Sequence, residues 1–191
     1  MPEYRRAFQP GGTFFFTLVT HGRQPILCNA TARSCLREAI QEVRVQLPFE
    51  MTAVVLLPDH LHAIWKLPDG DADFSKRWGR IKKGFTDRWL AHGGAETTVS
   101  ASRRRHRGRG VWQPRFWEHT LRDQADLIAH LDYIHYNPVK HDQASCPHAW
   151  PYSSFHRYVY MGRYATDWQC TCGGRTAVAP DFDSVKSTAL E

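Results

Sequence analysis

A chain of 191 residues, 42% hydrophobic and 23% charged, has the length of one domain and the composition of a protein that buries a core, which excludes whole-chain disorder. Its longest apolar run, Phe14–Val19 broken by Thr17, falls far short of the roughly 20 residues a membrane span needs, and the charged stretch from Met1 to Pro10 argues against an export signal. The net charge of +6 is concentrated, because positions 76–115 hold twelve Lys and Arg against only Asp87 and Glu96. Such a block is the footprint of a polyanion, nucleic acid first, or else a solvated basic surface.

Gly11-Gly12 opens a strand over Thr13–Thr20, rich in Phe, Thr and Val. Asn29 is placed to cap a helix in which Leu36, Ala39, Ile40, Val43 and Leu47 recur at helical spacing until Pro48 ends it. Thr52–Leu57 reads as a strand, Pro58-Asp59 as a break, and His60–Leu67 as a second strand, before Asp69-Gly70 turns the chain. The next helix, from about Asp73 to Leu90, buries Phe74, Trp78, Ile81, Phe85 and Trp89 and turns Lys76, Arg77, Arg80 and Lys83 outward. His92 to Gly110 is expected to be a long mobile loop, and Arg103, Arg104, Arg105, Arg107 and Arg109 within it suit phosphate binding.

Arg115–Leu121 supplies a fourth strand. Asp123 caps a last helix that ends at Asn137, because Pro138 steers its predecessor out of the helical region. From Trp150 the chain is aromatic and then polar, an extended tail in which Trp150–Phe155 either packs on the core or stacks on unpaired bases. The order β-α-β-β-α-β-α predicts an α+β domain. Its first six elements form a ferredoxin-like βαββαβ antiparallel sheet with helices on one face, followed by a C-terminal helix and tail. One domain is expected over 1–168 and a flexible tail over 169–191. The five cysteines show no paired zinc spacing, and Cys170-Thr171-Cys172 is at most half of a structural site, which needs four ligands. A reducing cytoplasm fits them.

The chemistry centres on His60-Leu61-His62. Side chains alternate along a strand, so both imidazoles leave one face, where two side by side can bind a divalent cation. One His-x-His among eleven histidines is also the kind of pattern chance produces. On the last helix, Leu127, Ile128, Leu131 and Ile134 form the apolar stripe expected to face the core. His130, Tyr133 and Asn137 form another, with the phenol and the amide one turn apart. That pair is either a packed Tyr and a helix-capping Asn, or part of a site in which a metal polarises a phosphodiester while the phenolate attacks it. Glu118, His119 and His130 are candidates for the base that would assist. Tyr136, the rival nucleophile, leaves the helix in another direction.

Several motifs together resemble one family. Phe14-Phe15-Phe16-Thr17 after Pro10-Gly11-Gly12, Leu57-Pro58-Asp59-His60-Leu61-His62, Trp112-Gln113-Pro114-Arg115-Phe116-Trp117-Glu118-His119 and Tyr133-Ile134-His135-Tyr136-Asn137-Pro138-Val139-Lys140-His141 are similar to those of the REP-associated tyrosine transposases. These are relatives of the single-tyrosine insertion-sequence transposases within the His-hydrophobic-His endonuclease superfamily, and the likeness spans about residues 4–168. It implies a ferredoxin-like nuclease and strand transferase for single-stranded DNA, acting on hairpins of repetitive extragenic palindromes. Tyr133 would be the nucleophile, leaving a 5′-phosphotyrosine and a free 3′-OH, and His60, His62 and Asn137 the ligands of Mg²⁺ or Mn²⁺. The DNA contacts would come from Arg5 and Arg6, in a Tyr4-Arg5-Arg6 motif like the family's, and from Lys76, Arg77, Arg80, Lys83, Arg103, Arg104, Arg105 and Arg107. The expected setting is the cytoplasm, at the nucleoid, as a monomer or dimer and without a membrane. The alternative function is a hairpin-binding protein that does not cleave.

Overall fold

The structure, a computed structural model, describes residues 9–105, 108–174, 180, 182 and 185. Strand β1 (Thr13–Val19) lies between β3 (His60–Lys66) and β4 (Trp117–Thr120), and β2 (Glu50–Leu56) completes the antiparallel order β2-β3-β1-β4. Helix α1 (Ala30–Gln46) joins β1 to β2, and α2 (Phe74–Ala91) joins β3 towards β4. This is the ferredoxin-like arrangement. Asn29 caps α1 by accepting from the Thr31 and Ala32 amides, and Asp73 caps α2 by accepting from that of Lys76.

Alternation along β1 and β3 sorts two cores. Phe14, Phe16, Leu61, Ala63 and Trp65 face α1 and α2, where Trp65 stacks on Trp78 at 3.9 Å. Phe15, Ala53, Val55 and Ile64 face the other way and are covered by α4 (Gln124–Lys140). His60 and His62 share the parity of Ile64. They therefore sit beneath α4.

Four expectations change. Helix α4 does not stop at Asn137 but runs through Pro138 to Lys140, because a proline in a last turn deletes a single hydrogen bond, and the His141 amide still bonds the Asn137 carbonyl at 3.1 Å. Its buried face is His130, Tyr133, Ile134, His135, Asn137 and Pro138, whereas Ile128 is 47% exposed. The polar stripe faces inward because the sheet beneath it carries imidazoles. The stretch 92–110 is no loose loop where it is described. It forms the short helix α3 (Ala101–Arg105), Arg109 clamps Glu96 with two bonds of 2.7 and 2.9 Å, and the Thr97 amide bonds the Gly110 carbonyl. Only glycine fits at 110, where a Cβ would collide with the Thr97 carbonyl.

The fourth change concerns the chain beyond Trp150. Residues 152–154 lie along β2, with the Leu56 amide bonded to Tyr152 and the Ser154 amide to Val54, and they lead into α5 (Phe155–Tyr160). A bare edge strand would leave these backbone groups unpaired, and the segment covers them. Trp150 donates its indole N–H to the Leu56 carbonyl and Phe155 is fully buried, so this aromatic stretch packs. Further on, Cys170 is joined to Cys146 as a disulfide, and Phe182 and Val185 are buried in the core beneath α4. Among the described residues no helix is long and apolar enough to cross a membrane.

Candidate active site and nucleic-acid interface

On β3, His60 and His62 are 3% and 0% exposed, with ring centroids 5.1 Å apart. The cross-strand neighbour of His62 is Thr17, whose hydroxyl lies 2.9 Å from His62 Nδ1. His60 Nδ1 donates to the Asp59 carboxylate at 2.6 Å, and Arg23 holds the second oxygen of that carboxylate at 3.0 Å. Burial pushes the Asp59 pKa up, but the His60 hydrogen bond and the Arg23 charge outweigh it and hold the carboxyl below its ordinary value. With Nδ1 engaged on each ring, Nε2 is the nitrogen that would serve a metal, since a ligating histidine is oriented by the bond its other nitrogen makes.

Helix α4 lays one stripe over this pair. The Tyr133 ring is 5.4 Å from His62 and the His141 ring is 5.1 Å from His60. Asn137, fully buried, stands one turn from each. The structure thus brings His60, His62, Tyr133 and Asn137 to one place. Two imidazoles and an amide oxygen are a donor set that fits a divalent cation. Lys140 Nζ donates to the Tyr133 hydroxyl at 3.2 Å and lies 4.9 Å from the ring centroid. Phe15 walls the site at 6.0 Å from Tyr133, and Phe182 covers it at 5.3 Å, leaving Tyr133 1% exposed. Tyr136 is half-buried, its ring tilted against Phe182 with centroids 5.7 Å apart.

Of the candidate bases, Glu118 pairs with Phe16 across the sheet and so faces α1 and α2, away from Tyr133. His119 and His130 are on the α4 side, but both bond Asp126, at 3.0 and 3.1 Å. The ligand atoms of His119, Asp126 and His130 lie within 4.8 Å of one another, a second group able to hold a cation. Burial lowers the His130 pKa. That of Asp126 falls to about 2, against its own burial, under hydrogen bonds from Arg122 and His119.

The basic residues divide. Lys76, Arg80, Lys83, Arg104 and Arg105 are exposed, with Lys83 paired to Asp87. Arg77, expected on that outer face, is 1% exposed. It donates to Asp71, to Asp73 and to the Leu47 and Pro48 carbonyls, because the chain entering α2 folds back over it. It is a structural anchor. Arg103 is half-buried and holds the Arg109 and Trp112 carbonyls. Lys82, Lys83, Arg103 and Arg109 line a cleft of about 700 Å³ between α2 and the 92–114 segment. Arg5, Arg6 and Arg107 lie outside the described residues.

Three residues of the site escaped sequence reasoning. Asp59 reads as a turn residue after Pro58. Lys140 and His141 continue the stripe of Tyr133 and Asn137, a signal that counts only if the helix passes Pro138.

A ferredoxin-like sheet with paired histidines on a central strand and a helix-borne tyrosine against them is the arrangement of a tyrosine transposase. The chain is 45% identical over 168 residues to the REP-associated tyrosine transposase of Escherichia coli K12, across 88% of this chain and 91% of that one. It is 41% identical over 168 residues, 88% and 93% of the two chains, to a Haemophilus influenzae protein provisionally given the same name. A solved structure of the REP-associated tyrosine transposase bound to a REP hairpin matches with a TM-score of 0.76 at 40% identity, over 100% of this chain and 98% of the other. No protein-family model matches. The chain belongs to the REP-associated tyrosine transposases and is by that membership an enzyme.

Proposed function

We propose that this protein binds hairpins of repetitive extragenic palindromes and cuts and rejoins their single-stranded flanks in the cytoplasm, at the nucleoid, through a 5′-phosphotyrosine. The observation that carries the reading is the Tyr133 ring 5.4 Å from His62, which is itself 5.1 Å from His60. Mg²⁺ or Mn²⁺ held by His60, His62 and Asn137 would polarise the scissile phosphodiester. The Tyr133 oxygen attacks phosphorus, a Tyr133–O–P bond forms to the 5′ side, and the bond to the 3′ oxygen breaks. In net terms the phenol proton ends on the new 3′-OH. The Lys140 ammonium, already donating to that phenol, balances the negative charge the oxygen carries as it attacks. Because the phosphotyrosine conserves the energy of the phosphodiester, the 3′-OH can attack it in reverse, and rejoining needs no nucleotide cofactor. Tyr133 is 1% exposed, so DNA reaches it once the Phe182 ring is displaced.

Incubation with labelled hairpin oligonucleotides and Mn²⁺ tests this. A covalent adduct mapped by peptide mass to Tyr133, absent in Tyr133→Phe while hairpin affinity is kept, is expected. Cleavage without an adduct, or an adduct on Tyr136, would remove the assignment. Binding without any cleavage would leave the hairpin-binding function alone.

A further inference from the structure

Two short motifs that are remote in sequence meet beyond the end of α4. Cys146-Pro147-His148 follows the helix, and Cys170-Thr171-Cys172 returns to it after α5. Backbone and side chain lock the approach, with the Thr171 amide and hydroxyl both donating to the Ser145 carbonyl, at 3.3 and 2.7 Å. The ligand atoms of Cys146, His148 and Cys170 lie within 4.8 Å of one another. Cys172 Sγ is 2.7 Å from Cys146 Sγ. His148 Nδ1 is buried and has no hydrogen-bond partner among the described residues. A disulfide between Cys146 and Cys170 employs two of the four groups. It leaves a third sulfur pressed on the pair and an imidazole nitrogen without a partner among the described residues, an arrangement that costs desolvation without return. One cation accounts for all four.

We propose that the reduced protein binds one structural Zn²⁺ through Cys146, His148, Cys170 and Cys172. Three thiolates and one imidazole close a tetrahedral shell with no open position, the mark of a structural site, and soft thiolates select zinc over the hard cations suited to amide oxygens. With sulfur about 2.3 Å from the metal, tetrahedral neighbours stand roughly 3.8 Å apart, so occupation spreads the three sulfurs evenly. The Cys172 amide, 3.4 Å from Cys170 Sγ, is placed to support a thiolate there. From the disulfide form, a thiol reductant first supplies two electrons and two protons, or a phosphine supplies two electrons while water supplies the two protons and the oxygen of the phosphine oxide. Binding then releases three thiol protons and transfers no electrons. Reduction in the cell follows from the cytoplasmic setting proposed above, and that clause alone rests on the functional reading. The bound ion would tether the chain leading to Phe182 to the end of α4.

The test is metal analysis of the full-length protein, purified with a phosphine reductant and exposed to Zn²⁺ alone, then gel-filtered. One zinc per chain is expected, retained when His60 and His62 are both replaced by Ala, reduced at least tenfold in Cys172→Ser and in His148→Ala, and restored in His148→Cys. Loading with Co²⁺ instead should give sulfur-to-cobalt charge-transfer bands that weaken in Cys172→Ser. If that variant fails to fold, the bands of the wild-type protein decide. A reduced, folded wild-type protein that keeps no zinc and shows no such bands would overturn the site. So would zinc that leaves with His60 and His62 rather than with Cys172. Neither readout depends on DNA cleavage.

Discussion

The proton on His60 Nδ1 is fixed by Asp59, whose carboxylate stays ionised between His60 and Arg23. An ionised carboxylate only accepts, so the imidazole is held in the tautomer that carries its proton on Nδ1, the one in which Nε2 would serve the proposed metal. Asp59→Ala frees the ring to rotate and change tautomer. The metal concentration for half-maximal cleavage should then rise about 10–100-fold, while hairpin affinity, which comes mostly from phosphate contacts, is unchanged. Titration of cleavage with Mn²⁺ measures the first and anisotropy the second, and an unaltered metal requirement would remove Asp59 from the site. The histidines themselves were legible because strand alternation alone puts them on one face. Asp59 was not, since its role depends on a hairpin so tight that the Leu57 amide bonds the His60 carbonyl at 2.8 Å, a geometry that spacing does not specify.

Among the elements, α2 separates what a helical wheel predicts from what tertiary contact decides. Its apolar positions were readable, as were its start near Asp73 and the capped starts of α1 and α4. The wheel placed Arg77 outside, yet the guanidinium is enclosed by the turn after α1 and by Asp71, whose pKa it lowers through their hydrogen bonds. Arg77→Met keeps the aliphatic stem and leaves the Leu47 and Pro48 carbonyls without their donor, at a cost of about 2–4 kcal/mol. Urea denaturation should show that loss with no change in DNA affinity per folded molecule. Arg80→Ala, which gives up one exposed bond to Gln46, should do the reverse. Equal stability of Arg77→Met and the wild type would return Arg77 to the surface. The same limit applies to α4, where local rules stop the helix at Pro138 and bury only its aliphatic stripe, whereas packing over two imidazoles carries the helix on to Lys140 and buries the polar stripe beside Ile134, with Leu127 and Leu131 partly covered and Ile128 left exposed.

Across the whole molecule the sheet divides the work. Helices α1 and α2 cover one face, α4 and Phe182 the other, so the basic block and Tyr133 lie on opposite sides. They meet at the ends of β1 and β3, where Thr97 bonds His21 at 2.6 Å and the next residue back, Thr20, bonds the Asp59 carbonyl. A strand held along the cleft of Lys82, Lys83, Arg103 and Arg109 can therefore turn over this edge towards His60. Arg104 and Arg105 are exposed and follow Arg103, which lines that cleft, and unlike Arg103 neither side chain holds a backbone carbonyl among the described residues, so charge reversal there should leave the fold intact. If each neutralises one phosphate, Arg104→Glu with Arg105→Glu should flatten the slope of log affinity against log salt by about 1–2 units. Hairpin and unstructured DNA should suffer alike, because phosphate contacts carry no sequence information. Cleavage at saturating DNA should persist, since the Tyr133 side is untouched. Anisotropy across a salt series measures the slope, and a slope equal to that of the wild type would make these arginines solvent surface and move the strand's path elsewhere on the basic face.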